Sequence, residues 1–149
     1  MEFRNAINLV PVGLKGKLYI SSRTILNHYK NYDIGHLITM FPYENKFKDI
    51  RHDIYDIHDS HDDETMIAMN QMLDIIGKDI HDSLNAGINV CVHCAAGISR
   101  SATVVLDYLM TYHLKEYNLK DAIYLLRIYR PIVNPNLGFL ELLKKRHQV

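Results

Sequence analysis

Val90-Cys91-Val92-His93-Cys94-Ala95-Ala96-Gly97-Ile98-Ser99-Arg100-Ser101 is the stretch from which the rest of this chain can be read. It opens inside an apolar, strand-like run, Ile88 to Val92, and leads into a helical run from Ala102 to Tyr112. Cys94 to Arg100 therefore falls at a strand-to-helix turn. The first amides of a helix have no partners within it and carry the positive end of its dipole, so such a turn welcomes an anion. Gly97 lets the backbone curl until its N–H groups aim at a tetrahedral oxyanion, and Arg100 supplies a planar, permanently charged fork for two of the oxygens. The same positive field favours the thiolate form of Cys94. A phosphate held above a sulfur anion describes covalent phosphoryl transfer from a phosphoester. Cys94 is then the nucleophile, and Ala95, Ala96, Gly97, Ile98, Ser99 and Arg100 are the phosphate cradle. His93, a strand residue adjacent to Cys94, points away from it and braces the loop rather than transferring protons.

Upstream, Ala6 to Val10 and Lys17 to Ile20 are short and β-prone, separated by Pro11, Gly13 and Gly16, as in an opening strand pair. Ser21 or Ser22 caps a helical run through Ile25, Leu26 and Tyr29. Gly35 breaks the chain before a buried strand, His36 to Met40. Phe41 to Lys48 reads as a surface loop, with Phe41, Tyr43 and Phe47 as scattered exposed aromatics. Tyr55, Ile57 and Asp59 alternate along a strand, which puts Asp59 on the apolar side at its end. From Thr65 the period becomes helical, with Met69, Leu73, Ile76 and Ile80 on one face. Beyond the loop, Ala102 to Tyr112 is a central buried helix. Asn118 starts the next, with Ala122, Leu125, Leu126 and Tyr129 on its face before Pro131. A last helix follows Asn134-Pro135-Asn136-Leu137-Gly138-Phe139, with Lys144, Lys145 and Arg146 suited to its C-terminal dipole. The expected fold class is α/β: one domain over residues 1–149, with a central, largely parallel but mixed sheet flanked by helices.

The 149 residues suit one domain with a sizeable core. Seventeen Lys plus Arg balance seventeen Asp plus Glu, so no overall basic field favours nucleic acid or an anionic membrane. No run approaches a membrane span, and Met1 to Asn5 lacks a signal-peptide core. Two cysteines make no disulfide framework, and a thiolate nucleophile needs a reducing compartment, so the expected location is cytoplasm or nucleus. Cys91-x-x-Cys94 is not a redox dithiol: extended chain separates the two α-carbons by roughly 10 Å, against a disulfide limit of about 7 Å. His52, His58 and His61 lie among aspartates in a polar segment and are read as binding no metal.

His93-Cys94-Ala95-Ala96-Gly97-Ile98-Ser99-Arg100-Ser101, continuing through Ala102-Thr103, resembles the signature of the cysteine-dependent protein tyrosine phosphatases. Its form is that of the small, atypical dual-specificity phosphatases. Leu18-Tyr19-Ile20-Ser21-Ser22 is similar to that family's opening strand and turn, and Arg130-Pro131 with Pro135-Asn136-x-Gly138-Phe139 to its closing segment. The resemblance implies the cysteine-phosphatase fold and a cofactor-free phosphatase that cleaves phosphotyrosine and phosphoserine or phosphothreonine through a cysteinyl-phosphate. It also implies a general acid from a loop roughly thirty residues before the cysteine. Asp59 fits on the Tyr55-x-Ile57-x-Asp59 alternation, while Asp62 and Asp63 also fall in range. Ser101, by resemblance, hydrogen-bonds the sulfur; the alternative is an ordinary serine of the first helical turn.

Ala95, Ala96 and Ile98 are small or apolar where relatives acting on phosphoinositides or RNA ends carry basic residues, which favours a phosphorylated protein as substrate. An RNA 5′-phosphatase, a phosphoinositide phosphatase and a phosphoprotein-binding module without turnover are the alternatives. The physiological substrate and the oligomeric state are not legible.

Overall fold

A computed structural model describes residues 3–148, so Met1, Glu2 and Val149 of the expected 1–149 domain lie outside the described residues. Five strands form one sheet: β1 (Ile7–Val10), β2 (Leu18–Ser21), β3 (Ile34–Thr39), β4 (Arg51–Ile54) and β5 (Asn89–His93). Four helices follow or separate them: α1 (Asp63–Asn85), α2 (Arg100–Tyr112), α3 (Leu119–Tyr129) and α4 (Leu137–Arg146). The strand order is β1-β2-β5-β3-β4. Only β1 and β2 pair antiparallel; β2–β5, β5–β3 and β3–β4 are parallel, so the sheet is mixed and largely parallel as expected.

The period of two along each strand divides the core. Leu18, Ile20, Ile38, Val90 and Val92 face one way and join a cluster with Leu73, Ile76, Ile80, Val105, Leu126 and Phe139, drawn from all four helices. Tyr19, Leu37 and Cys91 face the other way, against Ile25 and Tyr29. β5 is therefore buried on both faces, and the chain leaves its C-terminal end at Cys94, where open α/β sheets place their ligands.

The helix faces match the periodicity, with Met69, Leu73, Ile76 and Ile80 all buried on α1. Four local expectations are corrected. The run after Ser22 is not an α-helix but two short 3-10 segments, Arg23–Asn27 and Tyr29–Tyr32, because His28 leaves the helical region at φ −135°. Gly35 lies inside β3, not before it, at a register irregularity where the Ile88 side chain leaves little room for a Cβ. α1 begins at Asp63 rather than Thr65, since Asp62 accepts a hydrogen bond from the Thr65 amide at 2.8 Å and is the cap. Tyr55 to Asp59 is not a strand. The last rung of the ladder is the Tyr55 amide on the Thr39 carbonyl, at 2.9 Å, and beyond Thr39 β3 offers no further edge to pair with. Consequently Ile57 is buried while Asp59 is exposed, so the two do not share a side.

Candidate active site

The loop between β5 and α2 is held by its carbonyls. Arg23 N–H donates to Ala95 O (3.1 Å), Asn134 N–H to Ile98 O (2.7 Å) and Thr103 N–H to Ser99 O (2.9 Å). The Arg130 guanidinium donates to Ala96 O (3.1 Å) and Gly97 O (2.8 Å). His93 Nδ1 lies 3.3 Å from Cys94 O. Every carbonyl from Cys94 to Ser99 thus has a partner outside the bowl, whereas the amides of residues 95–99 meet no acceptor among the described residues. Alternation of the peptide then leaves the N–H groups as an anion-binding nest. Gly97 makes the curl possible: its φ is +68°, and a Cβ there would lie 2.5 Å from Arg130 Nη2 and 2.6 Å from Ser21 O.

Cys94 is nearly buried, 2% exposed, and its Sγ lies 3.2 Å from Ser101 Oγ. Ser101 is thus the sulfur's hydrogen-bond partner, as the resemblance implied, and not merely a helix-start serine. Arg100 turns inward. Its Nη1 donates to Ile57 O at 3.0 Å, and its Nε is buried with no acceptor among the described residues. A buried guanidinium N–H without a partner is costly unless an anion accepts from it, and a cysteine loop with unpaired amides is where such an anion fits.

The three candidate acids separate. Asp62 is committed to capping α1, and hydrogen bonds from Ser60 and then from Thr65 hold its carboxyl down at about 2. Asp63 is exposed in the first turn of α1. Asp59 Oδ1 accepts from Asn136 Nδ2 at 3.0 Å, and its segment hangs on Arg100 through Ile57 O.

Two side chains of the closing segment, noted in sequence only for their resemblance, take part in this frame. Asn136 caps α4 through Phe139 N–H (2.9 Å) while its own N–H donates to Ser99 Oγ (3.0 Å) and its Nδ2 also donates to Ser60 O (2.9 Å). Arg130 is completely buried and, besides the loop, donates to Ala6 O (2.8 Å), Asn8 Oδ1 (2.8 Å) and Arg4 O (3.1 Å). In sequence its only marks are its place directly before Pro131 and the resemblance of Arg130-Pro131 to the family's closing segment.

His93 is fully buried, and burial above all pushes its pKa down to about 3, so the imidazole is neutral. That suits bracing and not proton transfer. Cys91 is a free, buried strand thiol whose pKa burial raises. His52, read above as part of a polar segment, is instead 1% exposed on β4, and Phe41 is buried rather than a surface aromatic. Among the described residues no cluster of His, Cys, Asp and Glu could hold a metal ion, and no helix is long and apolar enough to cross a membrane.

Comparison with known proteins follows the same line. The family model "Dual specificity phosphatase, catalytic domain" matches residues 18–148. The 123R protein of Invertebrate iridescent virus 6, named for tyrosine phosphatase, is 33% identical over 131 residues, covering 88% of this chain and 87% of that protein. Dual specificity protein phosphatase 22 of Mus musculus is 40% identical over 74 residues, or 48% of this chain and 39% of that protein, so the chain matches well under half of the mouse relative's length. The crystal structure of DUSP15 superposes with a TM-score of 0.77 at 27% identity, covering 95% of this chain and 88% of that one. A signature loop with its carbonyls tied outward, inside a match that runs from β2 to the end of α4, leads to one assignment: this chain belongs to the dual specificity phosphatases, small members of the cysteine-dependent protein tyrosine phosphatase superfamily.

Proposed function

We propose that this chain hydrolyses phosphotyrosine and phosphoserine or phosphothreonine esters in proteins in two steps through Cys94. In the first, the Cys94 sulfur attacks phosphorus in line, the S–P bond forms, the P–O ester bond breaks and Asp59 gives its proton to the leaving oxygen. In the second, ionised Asp59 takes a proton from water as the water oxygen attacks phosphorus; the S–P bond breaks and the thiolate returns. Arg100 and the amides of residues 95–99 hold the equatorial oxygens through both steps. Ser101, 3.2 Å from the sulfur, stabilises the departing thiolate. His93 acts through the loop, as a brace.

The observation that carries this reading is the outward satisfaction of all the loop carbonyls beside an orphaned, buried Arg100 Nε. Asp59 is preferred as the acid because Asn136 fixes its carboxylate while Asp62 is spent on a helix cap. A phosphorylated protein is preferred as substrate because Ala95, Ala96 and Ile98 add no positive charge to the cradle. A thiolate mechanism also suits a reducing compartment, cytoplasm or nucleus.

The test compares phosphotyrosine and phosphothreonine peptides, a 5′-triphosphate RNA and a phosphoinositide. Peptide hydrolysis should dominate. Asp59→Asn should slow a phosphopeptide by about tenfold more than an aryl phosphate whose leaving group needs no proton. Should Asp63→Asn show that pattern in its place, the acid assignment moves to Asp63.

A further inference from the structure

Four hydrogen bonds behind the loop have only one consistent direction. The Phe47 amide, which can only donate, lies 3.0 Å from His52 Nδ1, so that nitrogen is an acceptor. Burial lowers the pKa of His52, the ring is neutral, and its single proton sits on Nε2. Nε2–H then donates to Thr39 Oγ1 at 2.7 Å. The Thr39 hydroxyl proton remains for His93 Nε2, also 2.7 Å away. With Nε2 accepting, neutral His93 carries its proton on Nδ1 and donates it to Cys94 O at 3.3 Å. The opposite His93 tautomer would set an Nδ1 lone pair against the carbonyl lone pairs, beside the carbonyl that must stay turned away from the anion.

Register and packing place these groups without slack. Thr39 and His93 are direct neighbours across β3 and β5, and Leu37 faces His52 across β3 and β4. The His52 ring stacks on Phe47 (5.1 Å between centroids, 22° between planes), Phe47 stacks on Tyr29 (4.4 Å, 26°), and Phe41 meets His93 edge-on (5.3 Å, 89°). The aromatic segment Phe41–Phe47 is therefore the wall around the relay, and one of its amides is the relay's first donor.

We propose that His52 and Thr39 are positioning residues: a directed chain from Phe47 N–H through His52, Thr39 and His93 selects the His93 tautomer that holds the Cys94 carbonyl outward. Segment 41–47 thereby helps position the Cys94 loop through Phe47 N–H and the ring contacts to His52 and His93. This role rests on the proposed function of the Cys94 loop, but the tautomers themselves do not depend on it.

Nitrogen-15 correlation spectra of the wild-type imidazoles read the chain directly. His52 should be protonated on Nε2 and His93 on Nδ1; finding either in the other tautomer overturns the proposal whether or not the enzyme turns over. Thr39→Val keeps the shape and removes the hydroxyl. It should lower kcat on p-nitrophenyl phosphate by about tenfold with KM little changed, and Thr39→Ser should restore most of the loss. Wild-type kcat in Thr39→Val, or a folded Thr39→Ser as impaired as Thr39→Val, would refute the relay.

Discussion

Replacing Arg130 by lysine tests how the loop is held. Arg130 is fully buried and spreads five hydrogen bonds over two segments: Ala96 O and Gly97 O in the loop, and Arg4 O, Ala6 O and Asn8 Oδ1 near the N-terminus. Lysine keeps the charge but gathers its donors on one atom, so it cannot span both segments. At least two buried or part-buried acceptors then lose their donor, and each one that water cannot reach costs about 1–3 kcal/mol. A loss of about 4 kcal/mol is expected, which for a chain of this size lowers the melting temperature by about 8–16 °C. A second consequence is local. Once Ala96 O and Gly97 O are released, the peptide planes can turn and the inward amides are lost, so inhibition by orthovanadate should weaken by at least about tenfold. Thermal melts by circular dichroism and vanadate titrations against p-nitrophenyl phosphate measure the two effects. An Arg130→Lys protein that melts within about 2 °C of wild type and binds vanadate equally well would refute this account of the loop.

Gly97→Ala should fold yet lose about 10²-fold in kcat, because the new methyl group meets Arg130 Nη2 and Ser21 O at a φ of +68°; near-normal turnover would show that the curl tolerates a side chain. Asp62→Ala should lower the melting temperature by a few degrees with kcat unchanged, since the residue caps α1; a collapse of kcat on phosphopeptide would make Asp62 part of the chemistry. Asp107 supplies the pH dependence. Burial raises its pKa, but hydrogen bonds from His147 (2.6 Å) and Arg146 (2.8 Å) outweigh this and leave the folded-state value below the ordinary carboxyl range. Its contribution to stability is thus fully present above the unfolded-state value of about 4 and is lost as pH falls through the folded-state value. Asp107→Ala should cost about 3–5 kcal/mol near neutral pH, and its difference from wild type in urea unfolding should shrink toward pH 2; a constant difference would contradict the assignment.

What could be read in the chain beforehand was whatever adjacency or period encodes. Cys94, Gly97, Arg100 and Ser101 are close in sequence, so the strand-to-helix turn that carries them is legible there, although its carbonyls are tied by distant residues. The buried faces of α1 and α3 follow from spacing alone, as Leu73, Ile76, Ala122 and Leu126 demonstrate. The misreadings nearest the site come from partners that only the fold brings together. Alternation at Tyr55, Ile57 and Asp59 looks like a strand, but pairing ends where β3 ends, at Thr39, a boundary set sixteen residues before Tyr55. Arg130 and Asn136 reach the loop across 33 to 37 positions, and His52 reaches His93 through Thr39; polar residues whose partners are assembled only by the fold look, in sequence, like solvent-facing ones. In the loop that follows β3 only Phe41 departs from the surface reading: it is buried, with its ring edge-on to His93.

The most direct test of the central claim is to quench turnover of a phosphopeptide in acid and map the trapped phosphate by mass spectrometry, alongside the steady-state rate of Cys94→Ser. The account predicts phosphate on Cys94 in the wild type, none in the variant, and a loss in kcat of at least about 10³-fold on the substitution. Equal rates for the two proteins, or trapped phosphate on another residue, would contradict it.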